Sequence, residues 1–231
     1  MKIKNSFQNF FRLFYPELCV GCSQSLIENE KHLCMECFSE LPKTFYHLSK
    51  SNSAYEQLAG KFPLEKAASF LFYNKNGLGQ KLIAELKYRG NIYVGQWLGE
   101  YLAKETLDFF TSIDLIIPVP LHKSKLKLRG FNQTEIIAAG ISKITHIPID
   151  TSILYREKAN ISQTTKGAFD RWKNTSGIFN IKNAQTLQGK HVLLIDDVLT
   201  TGSTLEACAH ALLKAKSVKI SILTLGITRI V

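Results

Sequence analysis

The chain has 231 residues, enough for one α/β domain and a small appendage, and 45% of them are hydrophobic while 21% are charged. This is the profile of a soluble globular protein, and it excludes a membrane-spanning chain because no apolar run reaches the roughly 18 residues that a bilayer requires. The first residues also lack the short apolar core and cleavage site of a secretory signal, so we expect a cytoplasmic protein.

The formal net charge of +10 lies entirely in the larger part of the chain. Residues 1–60 hold six basic and six acidic side chains, which leaves 23 of the 29 basic and 13 of the 19 acidic side chains for residues 61–231. Excess positive charge on one domain favours a polyanionic partner such as phosphates, nucleic acid or an acidic protein. A solvated basic surface is the alternative.

The first 60 residues are expected to form a unit in front of a larger domain at 61–231. They open with phenylalanines at helical spacing, which predict one apolar helix stripe: Phe7, Phe10, Phe11 and Phe14. This stripe would pack on the rest of the protein, although flanking basic residues leave a membrane-surface helix as an alternative.

Four of the five cysteines predict a metal module. They form two CxxC pairs about a dozen residues apart, which can converge on one tetrahedral zinc ion: Cys19, Cys22, Cys34 and Cys37. Gly21 is expected to allow the tight turn within the first pair. Zinc would be structural, because about 30 residues bury too little apolar surface to fold alone. A thioredoxin-type redox pair and ligation by His32 are alternatives, whereas Cys208 is expected to be a buried, inert thiol.

Strands and helices alternate along the larger domain, after a polar connector at 40–66. The expected strands cover residues 67–73, 115–120, 153–156, 192–195 and 220–227. The expected helices cover residues 79–88, 96–110, 133–144 and 205–214. This alternation predicts an α/β fold with a parallel sheet.

The segment from Val192 to Thr204 predicts a phosphate-binding site. A buried strand ends at two carboxylates, Asp196 and Asp197, and a hydroxyl-rich turn then leads into a helix. Ligands of parallel sheets bind beyond the carboxyl ends of the strands, and the amides at a helix start favour an anion. Gly202 would let the backbone approach a phosphate, while the two carboxylates would accept hydrogen bonds from a sugar. An ordinary strand, turn and helix or a Walker-B magnesium site are the alternatives, but no GxxxxGK[ST] motif supports a P-loop NTPase.

This segment resembles the signature for phosphoribosyl diphosphate (PRPP) of type I phosphoribosyltransferases, and further blocks resemble the ComF family of competence-type proteins. Those blocks are the paired CxxC motifs, Leu86–Gly90, Pro118–Leu121, Arg129–Gln133, and Arg171 with Asn174 and Phe179. The resemblance spans nearly the whole chain and implies a Rossmann-like type I phosphoribosyltransferase fold with a small N-terminal zinc-ribbon-like module. The chain departs from the family at Lys125 and Lys127, where arginine is usual, and at Lys166, where leucine is frequent. Lysine keeps the charge but loses bidentate geometry.

The resemblance also implies a role for each matching residue. It implies that Asp196 and Asp197 bind the ribose hydroxyls as catalytic residues and that Mg²⁺ bridges the diphosphate. The 5′-phosphate would lie on Thr200, Thr201, Gly202, Ser203 and Thr204, and the diphosphate on Leu121, His122 and Lys123. Expected basic contacts to phosphates or DNA are Lys87, Arg89, Lys125, Lys127, Arg129 and Arg171. If extended, the segment after Leu121 would point four of its basic residues one way: Lys123, Lys125, Lys127 and Arg129. A loop that closes over the ligand would contain Arg156, Lys166 and Arg171.

Two functions fit these expectations. The first is a competence protein of DNA uptake and natural transformation that binds PRPP, single-stranded DNA and a helicase-like partner. The second is an active phosphoribosyltransferase in base salvage, and the residue that would recognise its acceptor base is not identifiable. A regulatory PRPP sensor is a third option.

Overall fold

The computed structural model describes residues 16–156 and 178–228. The predicted phenylalanine helix and the loop residues Lys166, Arg171 and Asn174 lie outside these ranges. The α-helices are α1 Met35–Ser39, α2 Ser53–Leu58, α3 Leu78–Tyr88, α4 Ile92–Glu105, α5 Lys123–Arg129, α6 Gln133–Thr145 and α7 Ser203–Leu212. The strands are β1 Lys66–Phe72, β2 Leu115–Pro118, β3 Leu154–Arg156, β4 Phe179–Ile181, β5 His191–Leu199 and β6 Lys219–Ile227. Short 3₁₀ turns cover Tyr46–Leu48, Leu107–Phe110 and Ala184–Leu187.

The main sheet of the described chain is parallel and has the strand order β1-β6-β5-β2. Ile195 of the central strand β5 pairs with Leu223 on one side and Pro118 on the other. Such a strand is covered on both faces and therefore reads as a nearly continuous apolar run. The predicted α/β fold with a parallel sheet is confirmed.

Two apolar layers cover the sheet. One contains α3, α4 and α6 together with the cysteine segment, and the other contains α2, α7 and the β3–β4 hairpin. Cys208 lies fully buried in the second layer, as predicted. Within residues 16–156 and 178–228, no helix combines the length and the apolar character needed to cross a membrane.

Residues 40–66, expected to be a polar connector, are packed against the sheet. Lys43 forms an antiparallel bridge with Leu71, which covers the free edge of β1. The Asn52 side chain accepts hydrogen bonds from Ala54 and Tyr55 at the start of α2 and donates one to the carbonyl of Ala67 on β1. The connector therefore belongs physically to the α/β domain.

The segment after Leu121 is not extended, because Lys123–Arg129 forms the short helix α5. The His122 ring accepts a hydrogen bond from the Ser124 amide at 3.2 Å and so caps the helix start. Gly130, with φ at 80°, ends the helix in the left-handed conformation that glycine favours. The alternating basic residues therefore spread around a helix axis and do not face one way: Lys123, Lys125, Lys127 and Arg129.

Candidate functional site: a phosphate loop at the sheet edge

The hydroxyl-rich loop lies at the carboxyl end of β5 and leads directly into α7. Gly202 occupies the turn with φ at 79°, a conformation that side chains rarely adopt. A Cβ atom at this position would lie 2.7 Å from Cδ2 of Leu58 on α2. Glycine is therefore required here by both backbone conformation and space.

The amides of this loop are available to a ligand. None of the hydrogen bonds formed among residues 16–156 and 178–228 uses the amides of Gly202 or Thr204. The Ser203 amide makes only a long contact of 3.4 Å to the hydroxyl of Thr201, whose Oγ1 lies 3.0 Å from the Ser203 hydroxyl. Thr200, Thr201, Ser203 and Thr204 are exposed. Free amides, hydroxyls and the start of a ten-residue helix together form an anion-binding concavity.

The two aspartates point to opposite sides of β5. Asp196 is half-buried and lines the small hollow formed with the loop residues 198–205. Asp197 is 7% exposed and faces the other layer. There its carboxylate accepts a hydrogen bond from Gln133 at 2.7 Å and pairs with Lys87 at 2.9 Å. Asp196 thus faces the hollow at the hydroxyl-rich loop, whereas Asp197 occupies an internal polar position.

The electrostatics of Asp196 follow from this placement. Burial, and next the neighbouring Asp197 carboxylate, raises the pKa of Asp196 to about 7. The Asp197 amide, which donates to Asp196 at 2.8 Å, and the Lys87 ammonium act in the opposite direction. An acceptor that titrates near neutral pH is typical of functional sites, although ion networks produce the same effect.

Three sequence blocks that lie far apart in the chain meet at Asp197. Lys87 comes from the block Leu86–Gly90, and Gln133 ends the block Arg129–Gln133. The amide oxygen of Gln133 accepts a hydrogen bond from Arg129 at 2.9 Å while its amide nitrogen donates to Asp197. A continuous polar network therefore runs from α5 and α6 to α3 through the second aspartate.

The other predicted basic contacts lie around this network. Arg89 is exposed and pairs with Glu85 at 2.6 Å, and the Arg129 guanidinium lies over the Tyr88 ring at 5.5 Å. Leu121 and His122 are half-buried, and the side chains of Lys123, Lys125 and Lys127 are exposed on α5. Arg156 stacks over Phe179 at 5.4 Å.

The sequence analysis missed two residues that contact the loop. Gln57 on α2 donates its amide Nε2 to the carbonyl of Thr200. Lys61 donates to the carbonyl of Thr201 at 2.9 Å. Neither residue belongs to a motif, so the only signal available was an asparagine followed by a short helical pattern at 52–58.

The four predicted cysteines lie together beside the apolar layer that contains α3 and α4. Their sulfur atoms all lie within 4.8 Å of one another, and the Sγ atoms of Cys22 and Cys34 are 3.7 Å apart. A tetrahedral Zn²⁺ with Zn–S bonds of about 2.3 Å requires S–S distances of roughly 3.8 Å, so the cluster fits a metal ion such as zinc. His32 packs on Trp97, with ring centroids 5.5 Å apart, and is not part of the cluster.

Backbone donors favour the thiolate form at one corner of this cluster. Burial opposes ionisation of Cys19, but amide hydrogen bonds from residues of both CxxC pairs outweigh it and lower the thiol pKa to about 6. The predicted role of Gly21 in the turn would suggest a positive φ, but Gly21 does not have one. The residue of this turn with a positive φ is Ser23, at 64°. Gly21 is needed for space instead, because a Cβ atom there would lie 2.6 Å from the sulfur of Cys37.

Comparisons with known proteins point to one group. A family profile described as "Phosphoribosyl transferase domain" matches residues 132–226. The chain is 29% identical over 202 residues to the DNA utilization protein YhgH of Shigella flexneri, covering 85% of this chain and 84% of that protein. It is 24% identical over 212 residues to the competence protein ComFC of Bacillus subtilis, covering 90% and 83%. It is also 29% identical over 213 residues to competence protein F of Haemophilus influenzae, covering 87% and 93%.

Solved structures give more distant likenesses. A purine phosphoribosyltransferase from Pyrococcus horikoshii has a TM-score of 0.38 and 21% identity, covering 60% of this chain and 80% of that one. The glutamine PRPP amidotransferase of B. subtilis has a TM-score of 0.39 and 20% identity, covering 55% of this chain. The match spans a quarter of the length of that amidotransferase.

Proposed function

Because this chain is a ComF-family protein with a phosphoribosyltransferase-like domain, we propose that it binds PRPP or a related sugar phosphate at the loop 200–204 and acts in the handling of DNA during uptake. The observation that carries the proposal is the set of free amides and hydroxyls at the start of α7, beside the half-buried Asp196. The competence and DNA-utilisation names of its relatives support the DNA role.

Each part of the site matches one part of PRPP. The amides of Gly202 and Thr204 would take the 5′-phosphate, and Asp196 would accept hydrogen bonds from the ribose hydroxyls. The α5 lysines would neutralise the diphosphate. The described residues offer no cluster of three or more acidic or histidine ligands near the loop. Mg²⁺ would therefore arrive with the diphosphate, as is usual for nucleotide and phosphate sites, and Leu121 and His122 would line that end.

Titration calorimetry with PRPP and Mg²⁺ tests the proposal. Wild-type protein is expected to bind, and Asp196→Asn is expected to lose about tenfold in affinity because a hydroxyl loses its charged acceptor. Asp197→Asn is expected to act through the Lys87 network and to lower stability as well. Absence of any heat from PRPP with the wild type, or equal affinity of Asp196→Asn, would count against the site.

A transferase reaction is the alternative within the same site. The chemistry would be loss of diphosphate through an oxocarbenium-like state at the sugar C1, with the protein supplying position and charge and no covalent nucleophile. Release of pyrophosphate in a screen of acceptor bases identifies an active enzyme. PRPP binding without release under every acceptor identifies a sensor or a structural use of the ligand.

We also propose that the ion held by the cysteine cluster is structural zinc. Four thiolates suit Zn²⁺ and leave no position open for a substrate. The cluster packs into the same apolar layer as α3 and α4, and Lys81 of α3 donates to the carbonyl of Gly21 at 2.5 Å. Elemental analysis is expected to give one zinc per chain, and a different metal or none would overturn the assignment.

A single-stranded DNA surface around α5 is supported by a specific observation. Tyr88 is 77% exposed with the Arg129 guanidinium over its ring, and Tyr93 is 70% exposed five residues further along. No acidic residue occurs between 121 and 134, while Lys125 and Lys127 are exposed. Exposed aromatic faces and basic side chains suit unstacked bases and their phosphates. The helicase-like partner stays a prediction, because no feature of the described residues identifies it.

Fluorescence anisotropy with labelled oligothymidylate separates the two parts of this surface. Lys125→Gln is expected to reduce the slope of log affinity against log salt by about 0.7, because one phosphate contact is lost. Tyr88→Ala is expected to cost about 1–3 kcal/mol with an unchanged salt slope, because stacking is lost. Lys216→Gln is the matched control, since this exposed lysine lies before β6 at the opposite edge of the sheet. A shallow salt response in the wild type would refute binding through phosphates.

A further inference from the structure

Two side chains from the segment before β1 hold consecutive carbonyls of the phosphate loop. Gln57 donates to the carbonyl of Thr200, and Lys61 donates to the carbonyl of Thr201 at 2.9 Å. The Lys61 ammonium also lies 3.4 Å from the position that a Cβ atom on Gly202 would take. Both contacts join residues about 140 positions apart, so they tie the N-terminal connector to the site itself.

The direction of the loop amides follows from these contacts. A peptide unit is planar and trans, so the carbonyl of one residue and the amide of the next point in opposite directions. The carbonyls of Thr200 and Thr201 point toward residues 57–61, and the amides of Thr201 and Gly202 therefore point away from that segment. A peptide flip would turn a carbonyl oxygen into the anion site and remove a donor at the same time.

The helix α2, which carries Gln57 and lies just before Lys61, is itself held by hydrogen bonds and packing. Asn52 is 7% exposed, caps α2 and donates to the carbonyls of Tyr46, Ser49 and Ala67. Leu58, fully buried, packs in the same apolar layer as residues of β5 and α7. A rigid support of this kind is what a preorganised binding loop requires, because ordering the loop then costs nothing when the ligand binds.

The Gln57 side chain lowers the stability of the fold in one respect. Its amide oxygen Oε1 is buried and has no hydrogen-bond partner among the described residues. An unsatisfied buried acceptor lowers the stability of the fold. An apolar side chain at residue 57 would avoid this loss of stability but could not donate a hydrogen bond to the Thr200 carbonyl.

We propose that Gln57 and Lys61 are positioning residues of the phosphate site: they fix the peptide planes of Thr200 and Thr201 so that the following amides face the anion. The inference rests on the proposed sugar-phosphate function of the loop. The proposal gives the segment before β1 a part in ligand binding, through Gln57 of α2 and Lys61. This part is additional to the segment's contribution to folding.

The test measures binding of ribose 5-phosphate, which isolates the 5′-phosphate contact from the diphosphate. Lys61→Met is expected to lose about tenfold in affinity and Gln57→Ala about threefold, as for loss of one charged and one neutral hydrogen bond. Lys61→Arg keeps the charged donor and is expected to stay within about threefold of wild type. Glu56→Gln is the matched control, because this exposed neighbour on α2 makes no contact to the loop.

A spectroscopic readout distinguishes positioning from general stability. In ¹H–¹⁵N spectra of the full chain, the Gly202 amide is expected to shift on addition of ribose 5-phosphate to wild type and Lys61→Arg, and to be displaced or broadened in ligand-free Lys61→Met. The inference alone would be overturned by one result. In that result wild type binds ribose 5-phosphate and its Gly202 amide shifts, while Gln57→Ala and Lys61→Met keep wild-type affinity and an unchanged Gly202 resonance. Wild type that fails to bind ribose 5-phosphate would overturn the proposed function beneath it.

Discussion

Replacement of Asp196 by asparagine is predicted to stabilise the free protein while weakening the ligand site. The side chain is half-buried, and its carboxylate lies near that of Asp197, so the fold disfavours the ionised form. The pKa is about 7 in the fold against an ordinary value of 3.8. The unfolded chain thus releases this proton more readily, and the resulting loss of stability grows as pH rises from about 4 to 7 and stays constant above.

The size of the effect follows from the pKa difference. A rise from 3.8 to about 7 corresponds to at most about 4 kcal/mol, at 1.36 kcal/mol for each pKa unit. Because the side chain retains contact with solvent, screening reduces this figure, and we expect about 1–2 kcal/mol. For a chain of this length that corresponds to a rise in melting temperature of roughly 3–6 °C.

Thermal unfolding at pH 5.5 and pH 8 provides the assay. Asp196→Asn is expected to melt above wild type at pH 8 and to show a smaller gain at pH 5.5. Asp150→Asn is the matched control, because amide donors at Ser152 and Ile153, opposed by burial, lower the pKa of Asp150. That variant is expected to lose stability at pH 8. An Asp196→Asn protein that melts no higher than wild type at pH 8 would refute the assigned electrostatics.

Other predictions test the supporting structure. Lys87→Met is expected to lower the unfolding free energy by about 3 kcal/mol in urea titrations, because Asp197 then stays buried without its cation. The double variant Lys87→Met with Asp197→Asn is expected to recover most of that loss. Cys34→Ser is expected to lose zinc and at least about 3 kcal/mol of stability in thermal melts, whereas Cys208→Ala keeps the metal. Burial, and next the positive charge of Lys66, lowers the pKa of His191. The unfolding free energy is therefore expected to fall as the pH drops below about 6.5. His191→Gln is expected to remove this dependence of stability on pH.

Much of the sheet could be predicted because its strands are buried on both faces. The apolar runs at 67–73, 192–195 and 220–227 each fall within an observed strand or overlap one almost completely. Adjacent glycines and polar turns marked their ends. The cysteine cluster was equally accessible, because two CxxC pairs about a dozen residues apart are typical of sites whose four sulfur atoms converge on one metal ion.

Two features could not be predicted from the sequence, for different physical reasons. The alternation of lysines at 123–129 does not distinguish an extended segment from a helix, because alternation of charge carries no information about buried faces; the His122 cap and the Gly130 terminator decide the backbone. At 40–66 the polar composition hid two contacts that only the tertiary fold creates. Gln57 and Lys61 reach the phosphate loop across about 140 residues, a distance at which one sequence offers no local signal.

Asp196 and Asp197 are adjacent in the sequence but have different surroundings in the structure. Adjacent residues on a strand point to opposite sides, and β5 continues through both aspartates to Leu199. Asp196 therefore faces the hydroxyl-rich loop, while Asp197 contacts Lys87 and Gln133 on the other side of the strand. A double substitution would mix a binding defect with a folding defect, and the single variants are needed to separate the two roles.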